Sequence, residues 1–471
     1  MLPTPRNYAT YPSVMLADTP VQMNIIPTEK AFLFFEGEQY DLTIIDINSD
    51  EPYYHAPVSH KKLSVTAHGG VLSFTYTFEG EQEHIIVIEK EGKKLQDISV
   101  YSLYEDLYHL TPLKGDFHAH SFRSDGKRDP AAHAGHFREQ GYDFFALTDH
   151  NRYYPGSEID ETYEDVKLAF TRVMGEEVHA PGSVIHIVHV GGRESVAARY
   201  VHDREGYEAE CASFMSAVPE FVPEIYRERY ARSLWVTKKI HDAGGLAIFP
   251  HPYWQPGKAR TYNVCDEFAK ILLMSGMFDA YELIGGMTQV GCNRSVALWS
   301  ELRAEGLKIS VVGSSDVHGI ENSPFFPHNF TICFAESNTN DDIIAAIKQG
   351  MSVAVESCGV ESTRQHRCYG SLRLVSYAQF LLCNFFPEMT RICQGEGIAM
   401  RSYAMGTADT SLIEAQVRHS ENYRARFFGR AEPILPSSDI IAFEDKWRKV
   451  QLAGPHTKGS LVDSKTVSRQ I

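Results

Sequence analysis

Residues 115–126 read GDFHAHSFRSDG and contain three side chains of metal-ligand type, His118, His120 and Asp125. Residues two apart in a β-strand point to the same side, so His118 and His120 project together, and Asp116 shares their face. The two imidazoles can therefore chelate one ion. The HxH pair alone is weak evidence, because chance places about one such pair in a chain with 21 histidines among 471 residues.

Side chains of the same types recur in four later clusters, each near the end of a strand-like apolar run. They are His150 in FFALTDHN, Glu177 in GEEVHA followed by His186 in VIHIVHVGG, His251 in LAIFPHPYW, and Asp316 with His318 in VVGSSDVHG. Imidazole and carboxylate are ligands of Zn²⁺, Mn²⁺ and Fe²⁺, and nine of them are too many for one ion. Since strand ends converge at the mouth of an α/β barrel, we predict that the clusters meet around several ions.

Several residues have structural interpretations that compete with metal binding. Glu176 is an alternative to Glu177, and His189 is an alternative to His186, because one of each pair can face solvent or the barrel wall. His150 taken alone could cap a turn, and His251 alone could be a buried histidine bonded to backbone. We interpret a further set as packing or surface residues: His133, His136, His179, His202, His241 and His328.

The pattern of apolar residues divides the chain into three predicted domains. Residues 1–110 alternate in the manner of half-buried strands and predict a β-sandwich accessory domain. Residues 111–356 alternate short strands with amphipathic helices, which predicts an α/β fold with a parallel sheet closed into a barrel. Residues 357–471 predict a mainly helical extension, and its polar tail from residue 454 is expected to be poorly ordered or docked as an arm. Residues 192–230 form an insertion that we interpret as a candidate lid or substrate loop.

Composition excludes some functions. The chain has 45 Lys and Arg against 61 Asp and Glu, a net charge of −16, which argues against nucleic acid as the main partner. Its eight cysteines form no CxxC pair, and no apolar stretch reaches the roughly 20 residues of a membrane span. We expect a cytoplasmic protein without a membrane partner; the oligomeric state stays open.

The ordered motifs resemble those of the PHP (polymerase and histidinol phosphatase) superfamily over about residues 114–356. The matching positions are His118-Ala119-His120, Asp125, Thr148-Asp149-His150, Gly175-Glu176-Glu177, His186, His251-Pro252 and Asp316-Val317-His318. The resemblance implies a distorted (β/α)7 barrel that binds two or three divalent ions, Zn, Mn or Fe. An N-terminal β domain and the insertion look most like CehA/McbA-type metallohydrolases.

The resemblance also implies roles for these residues. Its register favours Glu177 over Glu176 and His186 over His189. One ion would bind His118, His120, Glu177 and Asp316, a second Glu177, His186 and His251, and a third Asp125, His150 and His318. Glu177 would bridge two ions, Asp125 occupies a position held by a third histidine in some members, and His318 is a candidate proton donor to the leaving group.

These roles predict a phosphoesterase that acts on a small phosphorylated, anionic substrate through hydroxide generated at a trinuclear metal site. An alternative is a carboxylester, carbamate or amide hydrolase, because the same hydroxide attacks a carbonyl carbon. A third alternative is a non-catalytic metal-binding module. Arg152, Tyr154 and Arg193 follow ligand positions and are candidates to orient the substrate.

Overall fold

The computed structural model describes residues 6–48, 61–257, 260–321, 323–358 and 365–452. The polar tail that the sequence analysis places from residue 454 lies outside these residues. The described residues of Glu105–Arg424 form one compact unit, and those of Thr4–Tyr104 and Ala425–Ile471 form another. The C-terminal region that the sequence groups into one extension is thus divided between the two units. No helix among the described residues is long and apolar enough to cross a membrane.

The first unit in chain order is rich in strands. They are β1 (Tyr8–Tyr11), β2 (Val14–Leu16), β3 (Pro20–Pro27), β4 (Gln39–Asp46), β5 (Lys61–Thr66), β6 (Leu72–Thr77), β7 (Gln82–Lys90) and β8 (Lys93–Leu103). One sheet has the order β1-β3-β6 and the other the order β2-β8-β7-β4-β5. Side chains from both sheets, including Met23, Leu42, Phe74 and Ile86, fill one shared core. This part of the chain therefore consists of two sheets packed on each other, as alternating burial along the strands requires.

The second unit alternates strands and helices before ending in helices. Its elements are α1 (Glu105–Tyr108), β9 (Thr111–Asp116), α2 (Pro130–Glu139), β10 (Phe144–Leu147), α3 (Pro155–Thr162), β11 (Thr171–Val178), β12 (Ile187–Val190), α4 (Ala197–His202), α5 (Arg204–Phe214), α6 (Glu224–Asp242), β13 (Leu246–Phe249), α7 (Asp266–Met274), β14 (Ala280–Ile284), α8 (Gln289–Ala304), β15 (Ser310–Gly313), β16 (Asn329–Ala335), α9 (Asn340–Lys348), β17 (Ser352–Cys358), β18 (Gln365–Tyr369), α10 (Leu372–Asn384), α11 (Phe386–Ala404) and α12 (Thr410–Phe427). A last helix, α13 (Ser438–Leu452), belongs to the strand-rich unit.

The large sheet is mixed rather than parallel. Its order is β15-β14-β13-β12-β11-β10-β9-β16-β17-β18. Strands β9 to β11 are parallel, as are β13 to β15, but β12 is antiparallel to both neighbours and β16 to β18 are antiparallel as well. The prediction of a parallel sheet was wrong at β12, because residues 179–186 between β11 and β12 include no crossover helix and are too few for a parallel return.

Side-chain hydrogen bonds curl this sheet. The hydroxyl group of Thr331 in β16 accepts from the N–H of Gly313 in β15 at 3.0 Å and donates to the carbonyl of the same residue at 2.8 Å. Ser352 in β17 donates to the carbonyl of Val311 in β15 at 2.9 Å. These bonds join one end of the strand order to strands near the other end, and buried Val188 and Val312 lie in the same core cluster. The result is a curled α/β sheet with helices along its length.

A buried ionic network attaches the C-terminal helices to the sheet. The Arg138 guanidinium of α2 donates to Glu396 of α11 at 2.9 Å and to Asp143 at 3.2 Å. Arg424 of α12 donates to the same Asp143 oxygen at 2.6 Å. Because Arg138 and Glu396 are fully buried, each charge depends on the other for solvation. The predicted helical C-terminal region is present, and its helices up to Arg424 are part of the second unit.

Candidate metal centre

The curled sheet brings the nine predicted ligand side chains to one edge. His118 and His120 follow β9, and His150 follows β10. Glu177 is the next-to-last residue of β11. Four of the remaining ligand positions lie close to the ends of other strands of the same sheet: His186, His251, Asp316 and His318. Asp125 lies in the segment between β9 and α2. Backbone bridges pair Ala119 with Val317 and His150 with Glu177, so four of the five sequence clusters are joined in two pairs.

His186 reaches this edge by a different route from the one expected. It precedes β12 rather than following it, and β12 is antiparallel to both neighbours. The start of an antiparallel strand lies at the same edge as the ends of its parallel neighbours. His186 therefore joins the cluster, although it lies before the start of its strand and not near the end that the sequence predicts.

Glu177 is the centre of the cluster. One carboxylate oxygen lies 2.8 Å from Nδ1 of His186 and 3.1 Å from Nε2 of His251. The other oxygen lies 2.8 Å from Nδ1 of His150. The same oxygen lies 3.4 Å from Nε2 of His118 and 3.5 Å from Nε2 of His120. Each oxygen of this one carboxylate thus faces its own group of imidazoles, the arrangement of a bridging ligand.

Two other carboxylates complete the cluster. Asp316 Oδ1 lies 3.0 Å from Nε2 of His120 and 3.4 Å from Nε2 of His118. Asp125 Oδ2 lies 3.3 Å from Nε2 of His150, and its Oδ1 lies 3.4 Å from Nε2 of His318. These are the separations expected between donor atoms that share an ion, since ligand–metal distances of about 2.0–2.2 Å place neighbouring donors roughly 3–4 Å apart.

The donor atoms form overlapping sets whose members all lie within 4.8 Å of one another. The sets are His120, Asp125, His150 and His318; His118, His251 and Asp316; His118, His120 and Glu177; His150, Glu177 and His179; and Glu177, His186 and His251. The last set is the second ligand group that the family resemblance implies, and the first set contains the third group, Asp125, His150 and His318. His179 is an addition, because the sequence analysis interpreted it as structural.

Several imidazole nitrogens of the cluster are buried and lack a hydrogen-bond partner, as nitrogens that bind a metal ion do. Nε2 of His118 and Nδ1 of His150 and His186 are buried and have no hydrogen bond of acceptable geometry, although carboxylate oxygens lie nearby. Buried polar atoms normally find a partner, and unpartnered imidazole nitrogens beside carboxylates are the donor set of a divalent-ion site. The arrangement can hold more than one divalent metal ion.

The two neighbouring glutamates have separate environments. Glu177 faces the cluster, whereas Glu176 accepts hydrogen bonds from Ser195 Oγ at 2.7 Å and from the N–H of Val196 at 2.6 Å, with Nδ1 of His189 at 3.2 Å. Adjacent strand residues point to opposite faces, which separates Glu176 and His189 from Glu177. Glu177 and His186 thus lie in the cluster, whereas Glu176 and His189 lie on the other face, and the ligand assignment itself stays a prediction.

Electrostatics maintain Glu177 and Asp316 as carboxylates. Burial disfavours the charged form of Glu177, but the surrounding imidazoles, His118 first, hold its pKa well below its usual range. Burial also opposes ionisation of Asp316, yet His118 and His120 lower its pKa. Burial lowers the pKa of His186 to about 4, which leaves that imidazole neutral and able to donate a lone pair at neutral pH.

Residues behind the cluster orient the histidines. Glu282 of β14 is buried and lies 2.9 Å from Nδ1 of His118, so that Nδ1 carries the proton and Nε2 faces the centre. Nδ1 of His318 lies 3.0 Å from the carbonyl of Asp316, which likewise directs its Nε2 lone pair towards Asp125. Sequence reasoning missed Glu282, although its signal was present as an acid near the end of the strand-like segment FDAYELIGG.

The backbone at two candidate ligands is unusual. Asp316 has φ +49° and His251 has φ +22°, a region that residues with a Cβ seldom adopt. A Cβ on Gly286 would collide with the Asp316 carboxylate, and one on Gly285 would collide with the Glu282 carboxylate. Such strain is concentrated at functional sites, where the surrounding structure fixes the conformation.

Three residues were proposed to orient the substrate, and one of them lies elsewhere. The N–H of Arg193 bonds to the carbonyl of Ala243, which precedes β13, whereas His251 follows that strand. Arg193 therefore lies at the opposite edge of the sheet from the cluster. Arg152 and Tyr154 remain close to His150 in sequence and are exposed. Their predicted role stays a prediction.

Other side chains border the cluster without having been predicted. The Trp254 ring lies 5.7 Å from the His186 ring and 6.0 Å from the His251 ring. The aliphatic chain of exposed Lys127 crosses Gly319, the residue after His318, since a Cβ there would lie 3.0 Å from Cδ of Lys127. An aromatic ring and a cationic side chain are therefore next to different parts of the cluster.

Comparison with known proteins gives structural likenesses alone. No family model and no curated protein matches the chain. The chain is similar to a two-domain protein from Bacteroides vulgatus described as containing a predicted PHP-like metal-dependent phosphoesterase, with 19% identity over 53% of this chain and 66% of that one, at a TM-score of 0.37. It is also similar to a candidate metal-dependent phosphoesterase from Bifidobacterium adolescentis, with 17% identity over 50% of this chain and 94% of that one, at a TM-score of 0.33.

A third similar structure is an amidohydrolase from Chromobacterium violaceum with bound sulfate and no metal. It has 18% identity over 44% of this chain and 89% of that one, at a TM-score of 0.30. At these identities and TM-scores, none of the likenesses assigns an activity to this chain.

Proposed function

We propose that this protein is a metal-dependent phosphoesterase that hydrolyses a small phosphorylated metabolite at a site holding two or three divalent ions, zinc or manganese or iron, at one end of a distorted (β/α)7 barrel. The observation that carries the proposal is the position of Glu177, whose two oxygens face separate groups of imidazoles. When bound there, divalent ions lower the pKa of water towards neutrality and stabilise charge on phosphoryl oxygens.

The chain's own residues supply binding and orientation. Asp125, Glu177 and Asp316 are the three carboxylates of the cluster, so the positive charge of two or more divalent ions exceeds theirs and leaves a site that favours an anionic group. Lys127 beside His318 adds a cationic side chain at the same rim. This local charge supports an anionic substrate although the whole chain has a net charge of −16.

His318 is the proposed proton donor to the leaving group. Its side chain is 40% exposed, the most accessible of the six candidate imidazoles, so a leaving group can approach it from solvent. Its Nδ1 is fixed by the Asp316 carbonyl, which leaves Nε2 to bind an ion or to carry a proton towards the substrate. Asp125 and Glu177 are proposed to hold the ions against which the ester binds.

Two chromogenic esters distinguish phosphoryl from acyl transfer. Protein supplied with Mn²⁺ or Zn²⁺ should release p-nitrophenol from p-nitrophenyl phosphate and far less from p-nitrophenyl acetate. His120→Ala and Asp316→Ala should each abolish this release while changing the unfolding temperature little. The reverse preference would favour the carboxylester, carbamate or amide hydrolase, and metal binding without turnover of either ester would favour a non-catalytic module. The cytoplasmic location stays a prediction from composition.

A further inference from the structure

His179 lies inside the cluster although no motif assigns it a role. It follows β11 directly and is two residues after Glu177, so the two side chains share a face. Its Nε2 lies 3.5 Å from Glu177 Oε2, and its ring centroid lies 4.3 Å from that of His150. The side chain is 31% exposed, yet Nε2 itself is buried and has no hydrogen-bond partner. An unpartnered nitrogen therefore points at the central carboxylate.

The backbone around His179 is held by contacts that fix its position. Its N–H donates to Oδ1 of Asn151 at 2.7 Å, and the Tyr200 hydroxyl of α4 donates to the same oxygen at 2.5 Å. Asn151 itself has φ +55° and bonds through its N–H to the carbonyl of Glu177 at 2.9 Å. A helix of the insertion thereby supports the residue, which places the imidazole before any ion arrives.

The ring of His179 is also fixed from the side. It stacks on the ring of His186 at a centroid distance of 3.6 Å and an interplanar angle of 19°. Two parallel imidazoles at this separation repel when both are protonated and pack well when both are neutral, as metal ligands are. The stacking therefore suits two rings whose lone pairs bind cations on either side of Glu177.

We propose that His179 is a further metal ligand, binding a divalent ion together with Nδ1 of His150 and Oε2 of Glu177. One donor atom from each of these three residues lies within 4.8 Å of the others. Oε2 of Glu177 lies 2.8 Å from Nδ1 of His150 and 3.5 Å from Nε2 of His179. The inference rests on the proposed metal centre and adds a position to it. His150 has Nε2 near Asp125 and Nδ1 near Glu177, and a neutral imidazole has one lone pair. In the proposed arrangement that lone pair is on Nδ1, so His150 binds the ion beside His179 in preference to an ion beside Asp125 and His318.

Metal counting tests this proposal without relying on turnover. Metal-free full-length protein is titrated with Zn²⁺ in competition with a chromophoric chelator, and the bound ions are counted by mass spectrometry after gel filtration. His179→Ala and His179→Gln should lose one equivalent or bind their weakest ion at least about tenfold less tightly. Tyr200→Phe, which removes one support of Asn151, should weaken the same ion by a smaller factor.

A matched control separates the outcomes. His202→Ala changes an exposed histidine of the insertion helix α4 and should keep the parental stoichiometry and affinity. Circular dichroism shows whether each variant is folded, and His179→Gln covers a failure of His179→Ala to fold. Equal stoichiometry and affinity in both His179 variants and the parent would overturn the role of His179 alone. A parent protein that binds no Zn²⁺ would overturn the metal centre itself.

Discussion

Glu176 and Glu177 are adjacent in β11, yet their carboxylates lie on opposite faces of the sheet. Glu177 is surrounded by the imidazoles of the cluster, and Glu176 caps the backbone N–H groups of Val196 and Ala197. Both are fully buried, so burial does not distinguish them. The difference between the two residues is therefore one of partners, and replacing each should have a different kind of effect.

Glu177→Gln should remove metal, whereas Glu176→Gln should retain it and lower stability. The neutral amide at position 177 loses the bridging charge that two groups of imidazoles share. At position 176 the amide loses charge-assisted hydrogen bonds, which costs about 1–3 kcal/mol. Metal content by mass spectrometry and urea unfolding measure the two effects. Loss of metal in Glu176→Gln with full retention in Glu177→Gln would show that the register is wrong.

Glu282→Gln should weaken metal binding without changing the ligand set. Glu282 lies behind His118 and fixes the proton on Nδ1, which leaves Nε2 as the donor. Loss of such a supporting carboxylate costs about 10–100-fold in metal affinity. Competition with a chromophoric chelator measures the change, and Glu301→Gln on the exposed face of α8 is the matched control. Equal affinities in the two variants would remove Glu282 from the centre.

His133→Leu should flatten the acid limb of the stability profile. Burial lowers the pKa of His133 to about 3, and neither ring nitrogen has a hydrogen-bond partner. Below about pH 6.5 the His133 imidazole is protonated in the unfolded chain but stays neutral in the folded protein. The free energy of unfolding therefore falls as the pH falls, by up to ~1.4 kcal/mol per pH unit. Urea unfolding of metal-free protein at pH 7, 6 and 5 should show a smaller decrease in the variant. Parallel profiles would contradict the assignment.

Glu396→Ala should destabilise the second unit strongly. It leaves the fully buried Arg138 guanidinium without the carboxylate that lies 2.9 Å from its Nε, and breaking a buried pair in this way costs about 3–5 kcal/mol. Glu388→Ala removes an exposed pair with Arg391 on the same helix and should cost less than about 1 kcal/mol. Thermal and urea unfolding compare the two. Similar losses in both would mean that the network does not attach α11 to α2.

Local patterns in the sequence predicted much of this structure. Strands β1 to β8 form where apolar and polar residues alternate, and the helices after residue 371 follow their apolar periodicity. The strand-end positions of His118, His150 and His251 placed them at one edge of the sheet, since parallel strands end together. These features depend on neighbours in sequence, which a single chain displays.

Other features depend on contacts between distant segments. The direction of β12 is set by a short connection and by pairing with β11 and β13, and neither is visible in the run IVHV. Glu282 acquires its role only when β14 lies beside His118, and Arg193 loses its proposed role because an antiparallel strand carries it away from the cluster. His179 had a local signal, its spacing of two from Glu177, whose meaning depended on the support of Tyr200 from the insertion.

The most direct test of the account is anomalous scattering from crystals grown with Zn²⁺ or Mn²⁺, recorded at the absorption edge of the added metal. The account predicts two or three peaks within bonding distance of Glu177, Asp316 and the surrounding imidazoles, with Glu177 between two of them. A metal-saturated crystal with no peak at this cluster would contradict it.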